Sequence, residues 1–144
     1  MTKEELKSRL PHRDAMLLVE NVTIKEDDNG CAVGKTFIRG DEWFLQGHFP
    51  GNPVVPGVIL CEIMAQSVCL LLSCGAALPF FSGMKNVKSK KPVHPGDTFC
   101  TECRIERRIG NFCFCKGVGT VNGETAVEAE FSFALVNKEE DAND

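Results

Sequence analysis

The sequence predicts an α+β domain in which an antiparallel sheet curves around one long buried helix. Three observations lead there. Residues 58–73 are apolar on nearly every side of a helical wheel, the mark of a central helix rather than a surface one. From residue 80 onward the chain divides into strand-like runs separated by turn signals, and the last run alternates cleanly. There Val127, Ala129, Phe131, Phe133 and Leu135 face one way, and Glu128, Glu130 and Ser132 the other. With 144 residues, 43% of them hydrophobic and 25% charged, the chain has material for one domain with one core.

Taken in order, Thr2-x-x-Glu5 resembles a capping box and opens a short helix to about residue 9, ended by Leu10-Pro11. Met16-Leu17-Leu18-Val19 starts a strand reaching Lys25. Asp27-Asp28-Asn29-Gly30 then turns the chain into a second strand over residues 31–38, giving a hairpin. Residues 40–55 form a long loop containing Gly47, Pro50, Gly51 and Pro53; a loop of that length inside a compact domain is often functional. Pro56 suits the start of the central helix and Gly75 its C-terminal cap. Strands are expected over 80–91, 98–109, 112–121 and 124–136. They are separated by His94-Pro95-Gly96-Asp97, Gly110-Asn111 and Asn122-Gly123. The expected domain spans residues 1–137, followed by a frayed acidic tail over 138–144. A sheet with unpaired edges leads us to expect a homodimer.

A net charge of −4 offers no general attraction to nucleic acid. The charged start lacks the apolar core of a signal peptide. The apolar stretch 58–72 is too short, and too interrupted by Glu62, Gln66 and Ser67, to span a membrane, so a cytoplasmic location is expected. The eight cysteines fit reduced thiols acting as small core hydrophobes better than disulfides. Cys100, Cys103, Cys113 and Cys115 invite a zinc reading. Against it, Cys100 and Cys103 point to opposite faces if residues 97–109 form a strand, and no metal is expected.

The chemistry concentrates in residues 46–66. Gly47, Pro50, Gly51 and Pro53 shape a loop able to hold the imidazole of His48 in one place. Taken singly, His48 reads first as a structural histidine bonded to a carbonyl. Glu62 changes that balance, because an unpaired carboxylate on an apolar helix is costly. Its burial is expected to disfavour the charged form and keep a proton available. Gln66, four residues on, lies on the same helix face and can orient the carboxyl. The alternative for Glu62 is a polar contact at a dimer interface. Gly57 opens the helix with an N–H that has no intrahelical partner, at the positive end of the helix dipole, where a carbonyl oxygen gathering negative charge would be stabilised. It also reads as a simple turn glycine. A base, an acid and a polarising N–H suit abstraction of a proton α to a carbonyl with loss of a β hydroxyl, chemistry that needs no cofactor.

These residues closely resemble the FabZ-type 3-hydroxyacyl-acyl-carrier-protein dehydratase family. Three segments carry the likeness: Leu10-Pro11-His12-Arg13 with Leu17-Leu18-Val19, then Gln46 through Gln66, then Lys91-Pro92-Val93-His94-Pro95-Gly96-Asp97. The resemblance implies a hotdog fold and a dimer with two sites, often assembled into a hexamer. It implies that His48 of one subunit and Glu62 of the other face a common tunnel, His48 as base, Glu62 as acid, and Gly57 N–H on the thioester oxygen. Phe49, Val58 and Gln66 are then expected to bind the acyl substrate. An acidic acyl carrier protein is the implied partner, for which Lys85, Lys88, Lys90, Lys91, Arg107 and Arg108 offer a basic docking patch, or merely a solvated strand face. A sister branch that also isomerises the double bond typically carries Asp where this chain has Glu62. The chain departs from the family with Asp14-Ala15-Met16 after the first motif, in place of an aromatic residue and a proline. It also has no tyrosine to serve as a tunnel gate. The rival readings are a hotdog thioesterase, a non-catalytic binding domain, and a dehydratase of a specialised polyketide or lipid pathway.

Overall fold

The computed structural model describes residues 1–10, 12, 14–25, 30–72 and 77–137. Helix α1 (Lys3–Arg9) begins as its capping box predicts, with the Thr2 hydroxyl accepting the Glu5 N–H. Strands β1 (Asn21–Lys25) and β2 (Cys31–Phe37) form the expected antiparallel pair. The central helix α2 (Gly57–Leu72) follows, then β3 (Ala77–Ser89), β4 (Thr98–Ile109), β5 (Phe112–Val121) and β6 (Glu124–Asn137). The six strands make one antiparallel sheet in the order β1-β2-β4-β5-β6-β3. At the β5–β6 turn Asn122 and Gly123 both take positive φ, 52° and 79°, the backbone that a tight hairpin requires. The turn over residues 27–29, Gly75 and the tail lie outside the described residues.

Helix α2 packs against all six strands. Leu60, Ile63, Met64, Val68 and Leu72 bury themselves against Phe99 and Cys103 of β4 and Phe131 and Phe133 of β6. Two inward glycines of β5 make room for this packing. A Cβ on Gly117 would stand 3.0 Å from the Met64 sulfur, and one on Gly119 would stand 2.3 Å from the Phe99 ring. All seven described cysteines are thiols, and six of them are buried. In β4 the burial alternates, placing Cys103 inward and Cys100 on the other face, as argued above against a shared zinc site.

Two boundaries depart from expectation: the strand expected over 80–91 runs instead over Ala77–Ser89, and the first strand starts late. The predicted first strand begins at residue 16, but β1 starts at Asn21, and Asp14–Met16 is a turn of 3-10 helix. The backbone there bonds elsewhere: the Leu18 N–H donates to Gln66 Oε1 at 3.0 Å, and the Met16 carbonyl accepts from Gln66 Nε2 at 2.6 Å. Groups taken by a helix side chain are not available to a sheet ladder.

Candidate active site

The loop before α2 is a closed backbone structure. His48 N–H donates to Leu45 O at 3.2 Å, and Phe49 and Asn52 exchange N–H···O bonds of 3.2 and 3.0 Å. Val54 N–H donates to His48 O at 2.9 Å, and Val55 N–H to Val93 O at 2.8 Å. Gly47 and Gly51 hold positive φ, 82° and 76°, which side chains rarely adopt. The loop is therefore tied to the 93–97 turn, itself closed by His94 N–H donating to Asp97 Oδ2 at 2.9 Å.

On this frame the His48 ring is partly buried, with Nδ1 3.0 Å from the Val54 carbonyl oxygen. A carbonyl only accepts, so Nδ1 carries the hydrogen and Nε2 carries the basic lone pair. The Phe49 ring stacks on the imidazole at 4.2 Å between centroids, and the peptide joining the two residues is cis. Phe49 is 55% exposed and Val58 71% exposed, so both present apolar surface beside the loop and the helix start.

Gly57 is the first residue of α2 and lies exposed. The Pro56 carbonyl accepts the N–H groups of Ile59 and Leu60, so those of Gly57 and Val58 precede the helix's own bonds. Outside its chain neighbours and its own helix, no heavy atom lies within 4 Å of where a Gly57 Cβ would stand, which leaves room for a substrate to approach the N–H.

Glu62 departs from the enclosed, unpartnered carboxylate expected on an apolar helix. Its side chain is 33% exposed within this chain, and it has partners. Gln66 Nε2 donates to Glu62 Oε1 at 3.1 Å, and His12 Nε2 lies 3.6 Å from the same oxygen. Gln66 orients the carboxyl as expected. It is fully buried, however, with its amide committed to Glu62, Met16 and Leu18, which does not suit the substrate-binding role also assigned to it. Burial, with Glu62 nearby adding to it, holds the Cys69 thiol up at about 12. Among the described residues, no hydrogen bond or ion pair joins His48 to Glu62: each is built into its own small network.

The basic residues are interleaved with acids rather than gathered alone. Lys90 lies 3.6 Å from Glu128 and Lys91 2.7 Å from Glu124, while Lys85 and Lys88 stand opposite Glu130 and Glu128 in the ladder. Arg107 covers the Phe114 ring at 4.5 Å, and Arg108 lies opposite Cys113. The contact of His12 with Glu62 and the anchoring of Val55 on Val93 were not foreseen. Both sit in segments that carry the family likeness, but residue spacing does not say which distant groups meet.

A FabA-like domain model matches residues 10–130. The chain is 40% identical over 139 residues to the 3-hydroxyacyl-[acyl-carrier-protein] dehydratase FabZ of Geobacillus thermodenitrificans, covering 94% of this chain and 95% of that one. The chain belongs to the FabZ-type dehydratase family. The Bacillus subtilis FabZ is likewise 40% identical, over 92% of this chain and 96% of its own length. Among solved structures, the dehydratase heterocomplex ApeI:P from Xenorhabdus doucetiae superposes with a TM-score of 0.80 at 19% identity, covering 96% of this chain and 95% of that one. The Escherichia coli PaaI protein superposes at 0.63 with 14% identity, over 78% of this chain and 82% of that one. At such identities the likeness speaks for the fold, which is the hotdog fold. Family membership makes the chain a hydro-lyase. No helix among the described residues is long and apolar enough to cross a membrane.

Proposed function

We propose that this FabZ-type dehydratase converts a 3-hydroxyacyl group on acyl carrier protein to the trans-2-enoyl thioester in fatty acid biosynthesis. His48 acts as base, Glu62 of a second subunit as acid, and Gly57 N–H as the carbonyl-polarising group. The observation that carries the reading is the 3.0 Å contact of His48 Nδ1 with Val54 O, which leaves Nε2 basic and aimed by a rigid loop. His48 Nε2 takes the α proton. The electron pair of that C–H bond forms the new double bond as the β C–O bond breaks. Glu62, in its acid form, gives the departing hydroxyl its proton, so that water leaves. The Gly57 N–H at the start of α2 stabilises negative charge on the thioester oxygen during proton removal.

A site shared between two copies would bring His48 of one and Glu62 of the other to the same substrate. Strand β3 is an edge of the sheet and carries the exposed Phe80, Phe81, Met84 and Val87, an apolar strip for a second copy to cover. Phe49 and Val58 would line the acyl path. The lysines of β3 and residues 90–91, even paired with β6 glutamates, remain the basic surface offered to an acidic carrier protein.

The test is an assay on a 3-hydroxyacyl chain loaded on acyl carrier protein, followed by enoyl-thioester absorbance and product mass. Loss of water with the thioester intact supports the reading. Released free acid without enoyl product would move the chain to the thioesterases.

A further inference from the structure

Among the described residues, Glu62 is held through one oxygen, Oε1. Gln66 Nε2 and His12 Nε2 both approach Oε1, at 3.1 and 3.6 Å, and neither contact involves Oε2. The two supports differ in kind. Gln66 is locked by its own bonds to Met16 and Leu18, so it fixes Oε1 from the buried side of α2. His12 comes from outside the helix, from the segment between α1 and the 3-10 turn Asp14–Met16, with its side chain 22% exposed. A carboxyl held by a single donor can swing about its last bond. A hydrogen bond from Gln66 on one side and an imidazole at ion-pair distance on the other restrict that rotation and leave the other oxygen to face the reactants.

We propose that His12 is a positioning residue for the dehydration: its Nε2 and the Gln66 amide together pin Glu62 Oε1, so that Oε2 delivers the proton to the departing hydroxyl. His12 touches neither substrate nor the reacting atoms in this assignment. The inference rests on the reading of Glu62 as the acid.

The test uses two polar replacements that differ in reach. In His12→Gln the side-chain N–H group lies about where Nε2 of the imidazole does and stays within reach of Oε1. In His12→Asn it lies about where Nδ1 does and falls short. We expect His12→Asn to lower kcat about 10- to 100-fold with KM within about twofold, because only the proton-transfer geometry is disturbed. His12→Gln should stay within about threefold of the parent kcat. In a Glu62→Gln background, assayed by single turnover with excess enzyme, His12→Asn should cost less than about twofold more, as expected when two residues act through one step. Three results overturn the inference. One is equal activity of the Asn and Gln variants, whether both high or both low. Another is a full additional loss in the Glu62→Gln background. The third is a loss confined to KM. If Glu62→Gln alone turned over normally, the assignment of Glu62 would fail, and the inference with it. That outcome is separate from a crippled Glu62→Gln beside an indifferent His12.

Discussion

His48 and Val54 are bonded to each other twice: the Val54 N–H donates to the His48 carbonyl at 2.9 Å, and the His48 imidazole Nδ1 meets the Val54 carbonyl at 3.0 Å. The residue that orients the proposed base thus also closes the loop that carries it. The ring cannot turn over without losing a bond, and the tautomer with a basic Nε2 is the one that bond favours.

Loss of either proposed proton-transfer group should be severe. His48→Ala and Glu62→Ala are each expected to reduce turnover by about two orders of magnitude or more. Both should keep the far-ultraviolet circular dichroism of the parent. Mixing the two inactive variants under conditions of confirmed subunit exchange should recover part of the activity, since a hybrid dimer keeps one intact site. No recovery would place both groups in one chain.

Gln66→Leu is close in size but leaves the Leu18 N–H and the Met16 carbonyl without their partner and removes one of the two supports of Glu62. A stability loss of about 1–3 kcal/mol is expected in urea unfolding. A fall in kcat larger than the fall in kcat of a control core variant of equal stability should accompany it. A variant as stable as the parent would mean that the Met16–Leu18 segment finds other partners.

Gly119 is required by packing rather than by backbone angle. Its φ is ordinary, yet an added Cβ meets the Phe99 ring at 2.3 Å, and Phe99 is fully buried. Gly119→Ala should destabilise the domain by about 1–3 kcal/mol. Pairing it with Phe99→Leu, which shortens the obstructing ring, should recover part of that loss. Strict additivity of the two changes would argue against the contact.

Thiol reactivity should follow burial. Burial pushes Cys69 and Cys115 up to about 12 and raises Cys103 and Cys61 as well. The attacking species is the thiolate, so in the folded protein near pH 8 these sites should resist alkylation. Among the described cysteines Cys100, half-buried on the outer face of β4, should label first. Peptide mass mapping before and after unfolding checks the order. Early labelling of Cys69 or Cys103 in the native state would contradict the packing of α2 on the sheet.

Much of this protein was legible in one dimension. The alternation of residues 124–136, the Asn122-Gly123 turn and the apolar run after Pro56 name β6, its hairpin with β5, and α2, because strand and helix periods and turn angles are local properties of the chain. The motif from Gln46 to Gln66 pointed to His48, Gly57 and Glu62 for the same reason: a stiffened loop entering a helix is written in consecutive residues. What only the fold decided are the contacts between distant residues. The start of β1 shifted to Asn21 because Gln66, about fifty positions away, takes the backbone of Met16 and Leu18. Glu62 turned out to have His12 beside it as well as Gln66, and the outer neighbour of β6 turned out to be β3, placed at the sheet edge by a crossover. Periodicity states which face of an element seeks the core. Which polar groups then meet depends on where the helix docks on the sheet, and that is fixed by packing volume summed over the whole domain.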